Sequence, residues 1–128
     1  MVHPSPHTER RRHPRYAVGD NVLVFSHDTF GQIMDISKSG LAYRYLTARD
    51  DTKLPDVELG FLNTENGFYI DKLYCKIIRS NDSTPLHPSS NTLIRTNGVE
   101  FTQLTDEQRS FLDSFLNQNI ASIQVSTP

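Results

Sequence analysis

Apolar and polar positions alternate along most of this chain with the period of two that strands require, and they switch to a helical period only near its end. After the turn signal Gly19-Asp20, Asn21-Val22-Leu23-Val24-Phe25 is a short β-branched run of strand type. Ser26 to Thr29 turns the chain, and Phe30 to Ser37 reads as the returning antiparallel strand. Leu41 to Leu46 follows, with Leu41, Tyr43 and Tyr45 on one face and Ala42, Arg44 and Leu46 on the other. Beyond the polar link Thr47 to Pro55, Asp56 to Phe61 alternates strictly and puts Val57, Leu59 and Phe61 on one buried face. Asn63 to Gly67 makes the next turn. Phe68 to Arg79 then reads as one long or two short strands, Leu73, Cys75 and Ile77 facing inward and Lys72 and Lys76 facing water. Ser80 to Asn91, with Pro85 and Pro88, is a loop. Thr92 to Thr102 resumes strand, with Val99 and Phe101 on one face.

Thr105-Asp106-Glu107-Gln108 has the form of a capping box and starts a helix. Phe111, Leu112, Phe115 and Leu116 make an apolar stripe on one side of it, suited to packing against the chain's own strands. The expected fold class is therefore mainly all-β: a six-stranded antiparallel β-barrel whose C-terminal α-helix plugs or flanks one opening.

Composition changes this picture little, and charge distribution changes it more. A chain of 128 residues, 36% hydrophobic, suits one domain with one core. The net charge of −2 is not that of a general nucleic-acid binder. Residues 1–15, however, hold four Arg against Glu9, while the remainder holds nine Lys or Arg against fourteen Asp or Glu. The positive charge is concentrated in the arm Arg10-Arg11-Arg12-His13-Pro14-Arg15. Guanidinium is charged at any accessible pH and costs too much to bury unpaired, so this arm is exposed or meets an anion. The lone Cys75 allows no internal disulfide and sits in an apolar stretch. With no apolar leader and no stretch approaching a membrane span, a cytoplasmic, uninserted protein is expected.

Enzymatic readings find no support. There is no Gly-rich phosphate loop followed by Lys, no His-Glu-x-x-His and no Gly-x-Ser-x-Gly. His3, His7 and His13 lack a carboxylate or cysteine at ligand spacing, so no metal site or cofactor is expected. The remaining candidate chemistry is the arginine arm together with the turn Asp35-Ile36-Ser37-Lys38-Ser39-Gly40. Each is ordinary alone, a basic tail and a polar turn. One hairpin separates them, and that hairpin brings the chain back to its starting end, placing the arm beside the turn.

In this order and setting the sequence resembles the PilZ family, small β-barrel receptors for the bacterial second messenger cyclic di-GMP. The family's Arg-x-x-x-Arg motif matches Arg11-Arg12-His13-Pro14-Arg15, and its Asp-or-Asn-x-Ser-x-x-Gly motif matches Asp35, Ser37 and Gly40. Gly98-Val99-Glu100-Phe101 followed by Leu104 to Arg109 is similar to the family's last strand and helix entry. The resemblance covers nearly the whole chain and implies a ligand-binding adapter. By motif match, Arg11 and Arg15 grip guanine and phosphate, with Arg10 and Arg12 as additional contacts. Asp35 and Ser37 accept donors from a guanine edge or its linkage, and Gly40 lets the backbone turn close to the ligand. A guanidinium fork can bond a phosphate or guanine O6 and N7 in bidentate fashion and stack on a base. Ordering of the arm by the ligand would change the surface offered to an effector protein.

The expected organisation is a flexible tail over residues 1–9, a barrel domain with arm and helix over 10–119, and a C-terminal tail over 120–128. Two other readings remain: a nonspecific nucleic-acid-binding barrel that uses the arm electrostatically, and a ligand-independent interaction module. The acidic body outside the arm speaks against the first. The second would keep its partner after the arginines are removed.

Overall fold

The computed structural model describes residues 14–85 and 87–126. Its elements in chain order are β1 Tyr16–Ala17, β2 Val22–Phe25, β3 Phe30–Ile36, β4 Gly40–Ala48, β5 Asp56–Asn63, β6 Tyr69–Asp82, β7 Thr92–Phe101 and α1 Asp106–Ser126. Among the described residues, β3, β2, β5, β6, β7 and β4 lie side by side in that order, and β4 closes on β3. The result is a closed six-stranded antiparallel barrel, as the alternation implies. Closure removes the unpaired edges that an open sheet exposes. β1 is a short addition: Tyr16 pairs with Ile36 and Ala17 with Asp35, beyond the stretch of β3 that β2 occupies.

Closing so small a sheet requires strong local twist, and three bulges supply it. Registers shift between Ile33 and Asp35, between Leu59 and Phe61, and between Ile77 and Arg79. At the second, Gly60 makes room for an aromatic ring. A Cβ there would come within 2.7 Å of Phe25, whose ring stacks on Tyr69 with centroids 5.7 Å apart.

Inward positions of the strands form one core: Val22, Val24, Ile33, Ile36, Leu41, Tyr43, Leu59, Phe61, Ile70, Leu73, Cys75 and Val99. From α1, Leu112, Phe115 and Leu116 complete it. Phe115 meets Phe61 edge-on at 5.1 Å and Phe68 at 5.3 Å, so the helix plugs the barrel end where β3 and β5 finish. Burying each such side chain contributes about 1.5–3 kcal/mol. The capping box forms as expected: Gln108 N–H donates to Thr105 Oγ1 and Thr105 N–H to Gln108 Oε1, both at 3.0 Å. Gln108 Nε2 also donates to the carbonyls of Asp71 and Lys72, tying the helix start to β6.

One sequence expectation needs correction. β6 runs to Asp82, so the connection taken to begin at Ser80 is shorter. The bulge at Ile77/Arg79 resets the register and lets Ser80, Asn81 and Asp82 continue pairing with β7. The helix backbone runs to Ser126, with no Gly or Pro to interrupt it. The proposed tail at 1–9 lies outside the described residues. No helix among the described residues is long and apolar enough to cross a membrane.

Candidate functional site

The turn between β3 and β4 is built by side chains and backbone together. Ser37 N–H donates to the Gly40 carbonyl at 2.8 Å, closing a four-residue turn. The Ser37 hydroxyl lies 3.3 Å from the Gly40 carbonyl, accepts from Ser39 N–H at 3.2 Å and lies 3.3 Å from Ser39 Oγ. With the residue 1% exposed, that hydroxyl is committed to the turn. Gly40 pairs with Glu100 of β7, and a Cβ on it would overlap the Val99 carbonyl oxygen. Its missing side chain thus serves the contact between β4 and β7. The Ser39 carbonyl accepts from Phe101 N–H at 2.9 Å, which anchors the same turn to the end of β7.

Arg15 enters this turn from the side. Pairing of β1 with the end of β3 carries the chain past Asp35, and Arg15 Nη1 donates to Asp35 Oδ1 at 2.8 Å. Their side chains are 17% and 35% exposed. A guanidinium has five N–H donors, and this ion pair uses one of them. Among the described residues its other donors have no partner, so Arg15 offers a guanidinium fork held in place by Asp35. Asp35 supplies the fixing carboxylate.

Of the five residues singled out in the sequence, Arg15, Asp35, Ser37 and Gly40 come together at one end of the barrel. They divide into two kinds. Arg15 and Asp35 present polar groups, while Ser37 and Gly40 shape the turn beneath them. Arg11, and the helpers Arg10 and Arg12, lie outside the described residues, as do His3, His7 and His13. Ser39, which the motif does not include, shares in the same hydrogen bonds. Among the described residues no group of three or more His, Cys, Asp or Glu could hold a metal ion.

The opposite mouth carries a second polar cluster. Arg95, 2% exposed, donates from Nε to Asp82 Oδ1 at 2.7 Å and from Nη2 to Asp82 Oδ2 at 3.2 Å. Those hydrogen bonds raise the guanidinium further and hold the Asp82 carboxyl below its usual value. Beside them, Asn97 Nδ2 donates to the hydroxyls of Tyr43 and Tyr45 at 3.1 and 3.4 Å. Burial pushes the Tyr43 phenol up to about 12, with the Asn97 bond opposing. Strand alternation counted back from Val99 reaches Asn97 and Arg95, so the signal for an inward polar pair was present.

Comparison with known proteins bears on the first site. A model of the PilZ domain matches residues 9–118. The fold is similar to that of "PilZ domain with c-di-GMP of YcgR from Escherichia coli", with a TM-score of 0.63 at 12% identity, covering 91% of this chain and 93% of that one. It is also similar to that of PlzA from Borreliella burgdorferi, solved in complex with c-di-GMP, with a TM-score of 0.52 at 16% identity. There the match covers 88% of this chain and only 55% of PlzA. No curated protein matches in sequence. The family match spans arm, turn, barrel and most of the helix, and the chain accordingly belongs to the PilZ domain family.

Proposed function

We propose that this chain is a receptor for cyclic di-GMP, which it binds across the β3–β4 turn. The observation that carries this reading is the Arg15–Asp35 ion pair at 2.8 Å, which joins the two motifs at one barrel end. The ligands named for the two similar structures support it, as does the family to which the chain belongs. Cyclic di-GMP presents two phosphates and two guanines, and the unused donors of Arg15 suit either in bidentate fashion. Arg11 is the second grip, with Arg10 and Arg12 adding contacts. Asp35 orients Arg15 and accepts from a guanine edge. Ser37 and Gly40 act by holding the turn in shape.

Each charge-assisted hydrogen bond contributes about 1.5–3 kcal/mol, and micromolar affinity needs about 8 kcal/mol, so a handful of such contacts suffices. Output is a ligand-induced change of the N-terminal arm that alters the surface met by an effector protein. Isothermal titration of the folded protein with cyclic di-GMP tests the reading. Saturable heat is expected, with Arg11→Ala losing most of the affinity while its far-UV spectrum stays unchanged. Absence of heat at tens of micromolar ligand, about ten times the expected dissociation constant, would overturn it.

A further inference from the structure

Cross-strand pairing carries the Arg15–Asp35 pair into a longer row on the outside of the barrel. Asp35 of β3 stands opposite Ala42 of β4, Ala42 opposite Gly98 of β7, and Gly98 opposite Arg79 of β6. Residues directly opposite one another share a face of the sheet. This row points outward, because its neighbours along β4 and β7, Leu41, Tyr43 and Val99, point into the core.

Arg79 does not stand away from this surface. A Cβ built on Gly98 would lie 3.8 Å from Arg79 Cβ, 3.6 Å from its Nε and 3.5 Å from its Nη2. The side chain therefore lies across Gly98, in the space that a larger residue would fill. Register leaves one small side chain, that of Ala42, between Gly98 and the carboxylate that holds Arg15. Two strand spacings, about 10 Å, separate Gly98 from Asp35 in this row.

The two guanidiniums differ in charge balance. Arg15 shares its charge with Asp35 at 2.8 Å, and the pair sets donors beside an acceptor, as a guanine edge requires. Arg79 is exposed and has no hydrogen bond or ion pair among the described residues. Glu100, the next outward residue of β7, stands opposite Lys76 of β6. A guanidinium without a carboxylate of its own suits an anion.

We propose that Arg79 is a further binding residue, which holds a phosphate of cyclic di-GMP laid across Ala42 from the Arg15–Asp35 pair. This rests on the reading that the pair binds the nucleotide, and it extends the site from the β3–β4 turn over β4 and β7 to β6.

Wild type, Arg79→Gln and Arg79→Lys are titrated calorimetrically with cyclic di-GMP, and each is melted without ligand. All three should melt together, because the side chain is exposed. Arg79→Gln removes a charge-assisted contact and is expected to bind about tenfold more weakly. Arg79→Lys is expected to stay within about threefold of wild type, because an ammonium still serves a phosphate as a point charge, whereas a fork on guanine does not survive the change. Arg79→Gln binding as tightly as wild type would overturn the proposal and leave the reading of Arg15 and Asp35 intact. Arg79→Lys binding as weakly as Arg79→Gln would overturn the phosphate assignment. No heat from wild type would overturn the underlying reading, and the proposal with it.

Discussion

Gly40→Ala separates two accounts of a motif residue. If Gly40 exists to admit a ligand, an added methyl should reduce affinity and leave stability alone. The structure points the other way: the new Cβ overlaps the Val99 carbonyl oxygen and lies 3.1–3.2 Å from Val99 C and Glu100 Cα. These are backbone atoms of β7, locked by the pairings Gly40–Glu100 and Leu41–Val99, so they cannot swing aside as a side chain would. Overpacking of this kind costs about 1–3 kcal/mol, and a backbone obstacle places it toward the upper end. For a chain of 128 residues, that corresponds to a fall in Tm of about 5–15 °C. Two glycines serve as controls. A Cβ on Gly19 meets only Asn21 Nδ2 at 3.9 Å, so Gly19→Ala is expected to be neutral or to raise stability by about 0.4–1 kcal/mol. Gly67, at φ +74° with open space around it, should lose about 1–2 kcal/mol on substitution through backbone strain alone. Differential scanning calorimetry ranks the three. A Gly40→Ala protein melting with the wild type would refute the steric argument.

Other expectations follow from the buried groups. Arg95→Met removes two of the bonds that hold Asp82, leaving it only Lys53, and should cost about 1–3 kcal/mol in urea unfolding; an unchanged midpoint would contradict the pairing. Asp82 is held below its usual carboxylate value, so the native state binds its proton less readily than the unfolded chain. Its contribution is present above the unfolded value near 3.8 and is lost as pH falls through the lower native value. The acid limb of stability should therefore be shallower in Arg95→Met than in wild type. Burial pushes the Cys75 thiol up to about 12 and leaves it 2% exposed, so thiol reagents at pH 8 should label it only as fast as the protein opens. Labelling at the rate of a free thiol would place Cys75 outside the core.

What sequence could reveal here depended on the range of the interaction. The Thr105–Gln108 capping box spans four consecutive positions, and its reciprocal bonds follow from residue type and spacing. Alternation over Asp56–Phe61 likewise assigned Leu59 and Phe61 to the core. Arg95 and Asp82 depend on register between β6 and β7, which a bulge at Ile77/Arg79 resets, and no local pattern announces that bulge. Gly40 shows a different limit. Its turn was readable, but the reason for glycine lies in β7, some sixty residues on along the 128-residue chain. The hairpin argument brought Arg15 to Asp35, but the hydrogen bonds of the Ser37 hydroxyl within the turn depend on local geometry that residue type alone does not specify.

The central claim is that Arg15, oriented by Asp35, grips cyclic di-GMP through its guanidinium fork. Arg15→Lys keeps the charge and removes the fork, and its dissociation constant for cyclic di-GMP measured calorimetrically beside wild type is the most direct test. Loss of one charge-assisted, bidentate contact should weaken binding by about tenfold or more. Equal affinity in the two proteins would contradict the account.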